Sequence, residues 1–281
     1  MNILGIDFEE WYHPELIQNQ LTTEKKIPKI VRGIDKILEM LRKNETFATF
    51  FMVGELLELN PELLDKILDN GHEIAFHTMQ HTRLDNMTEK KFEEEVIQFK
   101  KLTNGKSKGF RAPTFSLNRS SSWALDVLEK NEYIYDSSIV PAKTRLYGMP
   151  NAERKPYKIT KSNLEKNEPK GKLLEFPIMI TNFLGKAIPA GGGFYLRVLP
   201  KRIIKNTIKK YEKEDIPATF YIHSWELTPE YMPKISLSVL DNFVTYHNLN
   251  KAKLRMDKIL EQFDFTSFEK YMNSNRLNFK N

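Results

Sequence analysis

The chain contains no cysteine. Disulfides, thiolate nucleophiles and thiolate-bound zinc are therefore excluded, and any metal must take imidazole and carboxylate ligands. Long apolar runs are missing as well, so no segment reads as a bilayer-spanning helix of roughly 20 apolar residues. Met1-Asn2-Ile3-Leu4-Gly5-Ile6-Asp7 meets a charge too early for the apolar core of a signal peptide. A cytoplasmic location is the expectation, with peripheral membrane association left open. Internal repeats, low-complexity tracts and a clean linker are also absent, so residues 1–281 are expected to form one domain. The excess of one charge sign is small: 43 Lys and Arg against 37 Asp and Glu give +6. A solvated Lys-rich surface accounts for that excess, and nucleic acid is not expected as a partner.

What is present is an alternation of short apolar runs with amphipathic stretches. Ile3–Ile6, Phe47–Val53 and Ile74–Phe76 suit buried parallel strands. Between and after them, helical spacing of apolar residues predicts helices over Pro28–Asn44, Pro61–Leu68, Thr88–Leu102 and Ser120–Lys130. Further strands are expected at Gly109–Phe110, Tyr133–Tyr135, Leu173–Ile180 and Ala218–Ile222. A helix is expected from Pro200 to Lys213, and another from Lys251 to Phe263 with Leu254, Met256, Ile259 and Leu260 on one side. Residues 141–172 lose the pattern and read as a surface excursion, with a brief strand at Tyr157–Ile159. The three glycines Gly191, Gly192 and Gly193 permit a close backbone approach, but the Lys-Ser/Thr ending of a phosphate loop is missing. The β-α alternation predicts an α/β fold built from parallel units.

Chemistry-bearing residues collect where these strands end. Asp7, Glu9 and Glu10 follow the first strand, His77 and His81 the third, then Arg111, Asp136 and His223. The carboxyl ends of parallel strands are where α/β folds build their sites. Two imidazoles at i and i+4 can face one point if the backbone between them coils into a helical turn. Taken alone, that spacing more often accompanies one packed and one solvated imidazole. With a carboxylate added, two His leave an open position on a divalent ion, where water is acidified toward neutrality. A second carboxylate can take the water's proton, and a separate His can protonate a departing nitrogen. Arg111 near the base would keep it ionised, and a carboxylate behind His223 would keep that His protonated. Together this is equipment for hydrolysing an amide.

The ordered set Asp7-Phe8-Glu9-Glu10, His77-Thr78-Met79-Gln80-His81, Arg111-Ala112-Pro113, Tyr135-Asp136-Ser137-Ser138 and Ile222-His223 resembles the five motifs of the NodB-homology polysaccharide deacetylases. Ala48-Thr49-Phe50-Phe51 and Gly71-His72-Glu73-Ile74 match the flanking text. Gly191–Arg197, His223-Ser224-Trp225-Glu226-Leu227 and Phe263–Phe268 are similar to the exopolysaccharide-locus branch, whose extra C-terminal region would here cover about 185–281. The resemblance implies a distorted (β/α) barrel of about seven strands, a divalent metal, usually zinc, and removal of N-acetyl groups from an aminosugar in a polysaccharide or carrier-linked glycan. It further implies Asp7 as base, Glu9, His77 and His81 as metal ligands, His223 as acid oriented by Asp136, and an oxyanion donor at the Thr114 N–H. The family's usual pair of adjacent aspartates is interrupted here by Phe8. In an extended segment Asp7 and Glu9 share a face and Glu10 points away, which favours Glu9 over Glu10 as the third ligand. Trp11, His13, Tyr195, Arg197 and Trp225 are candidates for sugar contacts, with ordinary loop packing as the competing reading. An allantoinase-like cyclic amidohydrolase and a catalytically silent sugar-binding protein stand as alternatives, and oligomerisation is left open.

Overall fold

The computed structural model describes residues 1–18, 20–21 and 26–275. Its centre is a parallel sheet of strands β1 (Asn2–Phe8), β2 (Thr49–Met52), β3 (Glu73–Phe76), β4 (Gly109–Phe110), β5 (Tyr135–Asp136), β7 (Leu173–Glu175) and β10 (Thr219–His223). Their order is β10-β1-β2-β3-β4-β5-β7, and β6 (Tyr157–Ile159) adds an antiparallel edge next to β7. β8 (Ile180–Phe183) and β9 (Lys186–Pro189) form a separate hairpin, and β11 (Phe265–Thr266) pairs with the start of β1. The sheet curls without closing by a regular ladder. Across the gap, Met179 N–H donates to Thr219 O at 3.0 Å and Tyr221 N–H to Gly191 O at 2.7 Å. Gly192 makes that approach feasible: its φ is 122°, and a Cβ there would lie 1.6 Å from Tyr221 O. The expected distorted barrel is thus the observed fold.

The two-residue period of each strand sorts its side chains. Leu4, Ile6 and Phe8 face outward into the main core beneath the surrounding helices, while Ile3, Gly5 and Asp7 alternate with them and face the barrel interior. Helices Ile34–Lys43, Glu62–Asp69 and Glu89–Leu102 bury the predicted apolar stripes, among them Phe92, Val96 and Phe99. Some boundaries differ from expectation. The first amphipathic stretch opens with a 3₁₀ turn at Ile30–Gly33. The run from Leu173 to Ile180 divides into two strands around Pro177, which lacks the N–H that a ladder needs. In Ala252–Leu260 the buried face is Ala252, Met256, Ile259 and Leu260, and Leu254 stands outside it. The stretch 141–172 is no simple excursion: Ala142, Ala152, Tyr157, Ile159 and Leu164 are buried, and β6 joins the sheet.

The barrel interior is a second core of Ile3, Phe51, Ala75, Tyr135, Leu174, Phe176, Phe268 and Met272. Phe268 and Met272 come from the last described helix, Phe268–Ser274, capped by Ser267. Phe268 stacks on Tyr135 with centroids 5.0 Å apart and planes 5° off parallel, and meets Phe51 and Phe176 edge-on. The start of that helix also satisfies buried polar groups at the barrel's lower end. Phe268 N–H donates to Thr49 Oγ1 and Glu269 N–H to Glu73 Oε2, both at 3.0 Å. Residues more than 200 positions apart are therefore packed into one plug. Removing the ring leaves a cavity that the surrounding aromatics cannot fill by a small shift, so Phe268→Ala is expected to cost about 3–5 kcal/mol. Urea unfolding of the two proteins measures it, and a loss under about 1 kcal/mol would contradict the packing described.

Candidate active site

Asp7, Glu9, His77, His81, Thr114, Tyr195, Arg197, His223 and Trp225 line a cleft of about 340 Å³ at the carboxyl ends of the strands. Its floor begins with Arg111, which is fully buried inside the barrel. The guanidinium donates to Asp7 Oδ1 at 2.5 Å, to Ser137 O at 2.9 Å and to Ser137 Oγ at 3.0 Å. It lies 3.9 Å above the Phe51 ring centroid. Gly5 leaves the space it occupies, because a Cβ there would sit 2.8 Å from Nη1. Arg111 thereby fixes Asp7 with one carboxylate oxygen engaged.

The His pair converges, but by a different route from the one expected. No helical turn forms; Thr78 and His81 instead take left-handed conformations, with φ of 56° and 55°. Such conformations cost of order 1 kcal/mol each and persist only where neighbours hold them. The neighbours here are Glu95, which accepts from Met79 N–H at 2.8 Å, and the start of helix Gly54–Leu59, whose Gly54 and Glu55 N–H groups donate to Thr78 O and Met79 O. The two rings end 4.9 Å apart. His77 Nδ1–H donates to Arg111 O at 2.7 Å, leaving Nε2 with a free lone pair, the usual arrangement behind a metal-bound imidazole. Burial pushes the His77 pKa down to about 4, so its ring is neutral at pH 7.

Glu9 completes the triad. One ligand atom from each of Glu9, His77 and His81 falls within a 4.8 Å set, and Glu9 Oε2 is 2.7 Å from His81 Nε2. Burial would raise the Glu9 pKa, but His81, His223 and His77 outweigh it and hold the carboxylate well below its usual range. Glu9 Oε2 and His81 Nδ1 are buried without a hydrogen-bond partner among the described residues. A buried carboxylate and two buried imidazoles with unpartnered ligand atoms among them fit a divalent ion. Glu10 is spent elsewhere: its carboxylate accepts from the N–H groups of Trp11, Lys29 and Val31. Among the described residues Glu9, and not Glu10, is the glutamate grouped with the two imidazoles.

His223 stands across the cleft, its Nε2 3.9 Å from Glu9 Oε1. Its partner is not Asp136. His223 Nδ1 lies 2.7 Å from Glu226 Oε2, and Glu226 Oε1 accepts from Arg197 Nε at 2.6 Å. Burial would depress the His223 pKa, but the Glu226 carboxylate, with Glu9 and Asp7 behind it, raises it to about 9. Glu226 in turn, despite burial, is held below the usual carboxylate range by Arg197 and His223. Sequence reasoning missed Glu226, although His223-Ser224-Trp225-Glu226 carried the signal: positions i and i+3 meet across one helical turn. The helix Ser224–Leu227 makes that turn.

Other candidates divide. Thr114, with φ 53°, and Tyr195 do face the cleft. Trp225 lines it and stacks on His223 at 4.8 Å, but its Nε1–H donates to Glu9 Oε1 at 2.7 Å, so its polar edge serves the triad. Arg197 lines it while spending its guanidinium on Glu226 and on the carbonyls of Val244, Thr245 and His247. Trp11 and His13 are not cleft contacts. Trp11 is buried in a cluster with Tyr12, Ile17, Ile30 and Trp225. His13 stacks behind His81 at 5.9 Å, accepting from Glu10 N–H and donating to Glu55.

Asp136 belongs to a different pair. It is the register partner of Glu175, and both are fully buried. Ser138 Oγ donates to Asp136 Oδ1 at 2.6 Å, and Ile139 N–H to Glu175 Oε1 at 2.9 Å. Burial pushes both carboxyl groups up, so the pair retains a proton. In the unfolded chain both ionise at ordinary values near about 4. Native stability is therefore undiminished by this pair below that pH and falls as pH rises through the elevated native values. The urea midpoint of the wild type is expected to drop between pH 5 and pH 9, and that of Asp136→Asn to drop less. Equal pH slopes for the two proteins would contradict the shared proton.

Residues 26–133 match the family model described as polysaccharide deacetylase, and residues 137–273 match one described as a domain of unknown function (DUF3473). Among curated proteins, a peptidoglycan-N-acetylglucosamine deacetylase of Bacillus cereus is 39% identical over 66 residues, 24% of this chain and 31% of that protein. A peptidoglycan deacetylase of Helicobacter pylori is 29% identical over 38% of this chain and 37% of its own length. The chain thus spans about a third of the curated relatives it matches. A crystal structure from Mycobacterium smegmatis whose name assigns it to the polysaccharide deacetylases superposes with TM-score 0.62, covering 98% of this chain and 91% of that one at 14% identity. Puue allantoinase gives 0.56, with 99% and 92% covered, also at 14% identity. Likeness at that identity establishes the fold. Residues 26–133 are thus similar in sequence to the polysaccharide deacetylases, and residues 137–273 to a domain family of unknown function.

Proposed function

We propose that the chain is a metal-dependent hydrolase that removes N-acetyl groups from an aminosugar in a glycan or on a carrier. The observation that carries this reading is the single cleft in which the Glu9, His77 and His81 triad faces both the Asp7–Arg111 pair and the His223–Glu226 pair. The donor set, one carboxylate and two imidazoles with no thiolate, suits zinc among divalent ions. When bound, such an ion supplies Lewis acidity at the amide oxygen and lowers the pKa of the attacking water.

The protein's own groups do the rest. Asp7, oriented by Arg111, takes the proton from the attacking water. The Thr114 N–H, at the rim of the same cleft, supplies a hydrogen bond to the developing oxyanion. His223 is protonated at neutral pH and donates its Nε2 proton to the departing amine. Trp225 fixes Glu9, Arg197 fixes Glu226, and Tyr195 is left to meet the sugar. The main core runs from Leu4 to Phe265, which supports treating both halves as one catalytic unit. Similarity of the C-terminal motifs to the exopolysaccharide-locus branch supports a role in surface-polysaccharide synthesis.

Calorimetry with zinc is expected to show one site per chain, weakened more than about 100-fold in His77→Ala, since loss of even an outer partner costs about 10–100-fold. Unchanged zinc affinity in that variant would remove the triad from consideration. With N-acetylglucosamine oligosaccharides, acetate release is expected, reduced about 10²–10⁴-fold in Asp7→Asn and in His223→Ala. Glu226→Gln should lower kcat with KM little changed. Turnover of cyclic ureides without metal, and none of N-acetylated sugars, would favour the cyclic amidohydrolase reading instead.

A further inference from the structure

The helix Val239–Tyr246 is built inside out. In a surface helix the apolar stripe faces the core, but here the buried residue is Thr245. Val239 is 91% exposed, Leu240 53% and Phe243 46%. The inversion is not slack packing. Arg197 clamps the carbonyls of Val244, Thr245 and His247 at 2.7 to 3.1 Å, and Ser238 caps the first turn. Asp241 is held by Arg145 at 2.8 Å. Because Arg197 also holds Glu226, the helix is tied through two side chains to His223.

Leu240 and Val244, one turn apart, line the outer part of the cleft together with Leu16, Leu146 and Phe194. Val239 and Phe243, the adjoining pair at the same spacing, continue this apolar wall onto the open surface. Phe243 packs edge-on against Phe194 with centroids 6.0 Å apart. The cleft therefore changes character along its depth. Its floor holds ionised and imidazole groups, and its mouth is a hydrocarbon wall that continues past the rim.

We infer that the substrate is an amphiphilic glycoside, in which a long apolar chain on the carrier side of the sugar lies along Leu240, Val244 and Phe194 and leaves the cleft over Val239 and Phe243. This rests on the deacetylase reading for what happens at the floor. Continuity decides the occupant. Whatever covers the wall shares one cavity with the triad, so it must be joined to the reacting sugar; a protein partner seated there would close the cleft. The extension beyond the rim calls for a chain longer than the acyl group being removed, which places it on the sugar's other substituent. A plain oligosaccharide would leave this wall wet.

The test compares octyl and methyl glycosides of N-acetylglucosamine, below micellar concentrations, with the zinc-loaded full chain. Each buried methylene strengthens binding about fourfold, so three on the wall lower KM for the octyl compound by about 60-fold. Leu240→Ser with Val244→Ser should collapse that ratio toward unity. Calorimetry with the same two glycosides reads the preference without turnover. Methyl and octyl glycosides hydrolysed with equal KM would overturn this inference and leave the deacetylase reading standing. Preferential octyl binding without acetate release would keep the chain site and reject the deacetylase reading. A preference for N-octanoylglucosamine methyl glycoside would move the chain to the nitrogen and overturn the assignment, as would tight binding to phosphatidylcholine vesicles with no glycoside preference. Failure to bind or turn over either glycoside would overturn both.

Discussion

A guanidinium sealed inside the barrel is the constraint from which the site follows. Arg111 has no exposed surface, and taking its charge out of water is costly unless each nitrogen finds an acceptor and an opposite charge lies close. Asp7, Ser137 and the Phe51 face provide that. The same residue's carbonyl accepts from His77, so one position just after β4 orients both the Asp7 carboxylate and the His77 imidazole. Gly5 on β1 is part of this arrangement because any side chain there would occupy the guanidinium's place. The ring beneath is supported in turn by Phe268, so a residue near the end of the described chain underlies a charge pair made by Asp7 and Arg111.

The second anchor is made entirely in the C-terminal half. His223, Glu226 and Arg197 form a chain of alternating charge whose last member ends on the carbonyls of Val244, Thr245 and His247 at the C-terminal end of the helix Val239–Tyr246. Truncating either end strands a buried charge, and broken pairs of this kind are costly because the survivor stays desolvated. The part of the chain matched by a model of unknown function therefore contributes the charge partner of a cleft imidazole.

Much of this was legible in the sequence for a simple reason: parallel strands end where sites are built, and Asp7, His77, Arg111 and His223 stand at or beside such ends. The choice of Glu9 over Glu10 followed from the two-residue period, and the structure adds that Glu10 is occupied by three N–H groups. Asp136 misled because position at a strand end says nothing of which face the side chain takes; its register partner Glu175 claims it. The loop after β1 misled differently. Glu10 folds the chain back so that Trp11 and His13 pack behind the triad, a consequence of backbone satisfaction that residue type does not reveal.

The left-handed turns at Thr78 and His81 link these observations. A helical turn would have brought the imidazoles together at no conformational cost, but it would also have continued the chain away from β3. Two residues at φ near 55° instead take the backbone off the helical path, and both rings line the cleft. The strain is balanced by Met79, whose N–H is taken by Glu95 and whose carbonyl is taken by Glu55 N–H. Glu55 also accepts from His13, which stacks on His81. Held from both sides, the imidazoles keep their spacing before any ligand arrives, and such preorganisation is what a site built from one carboxylate and two imidazoles requires.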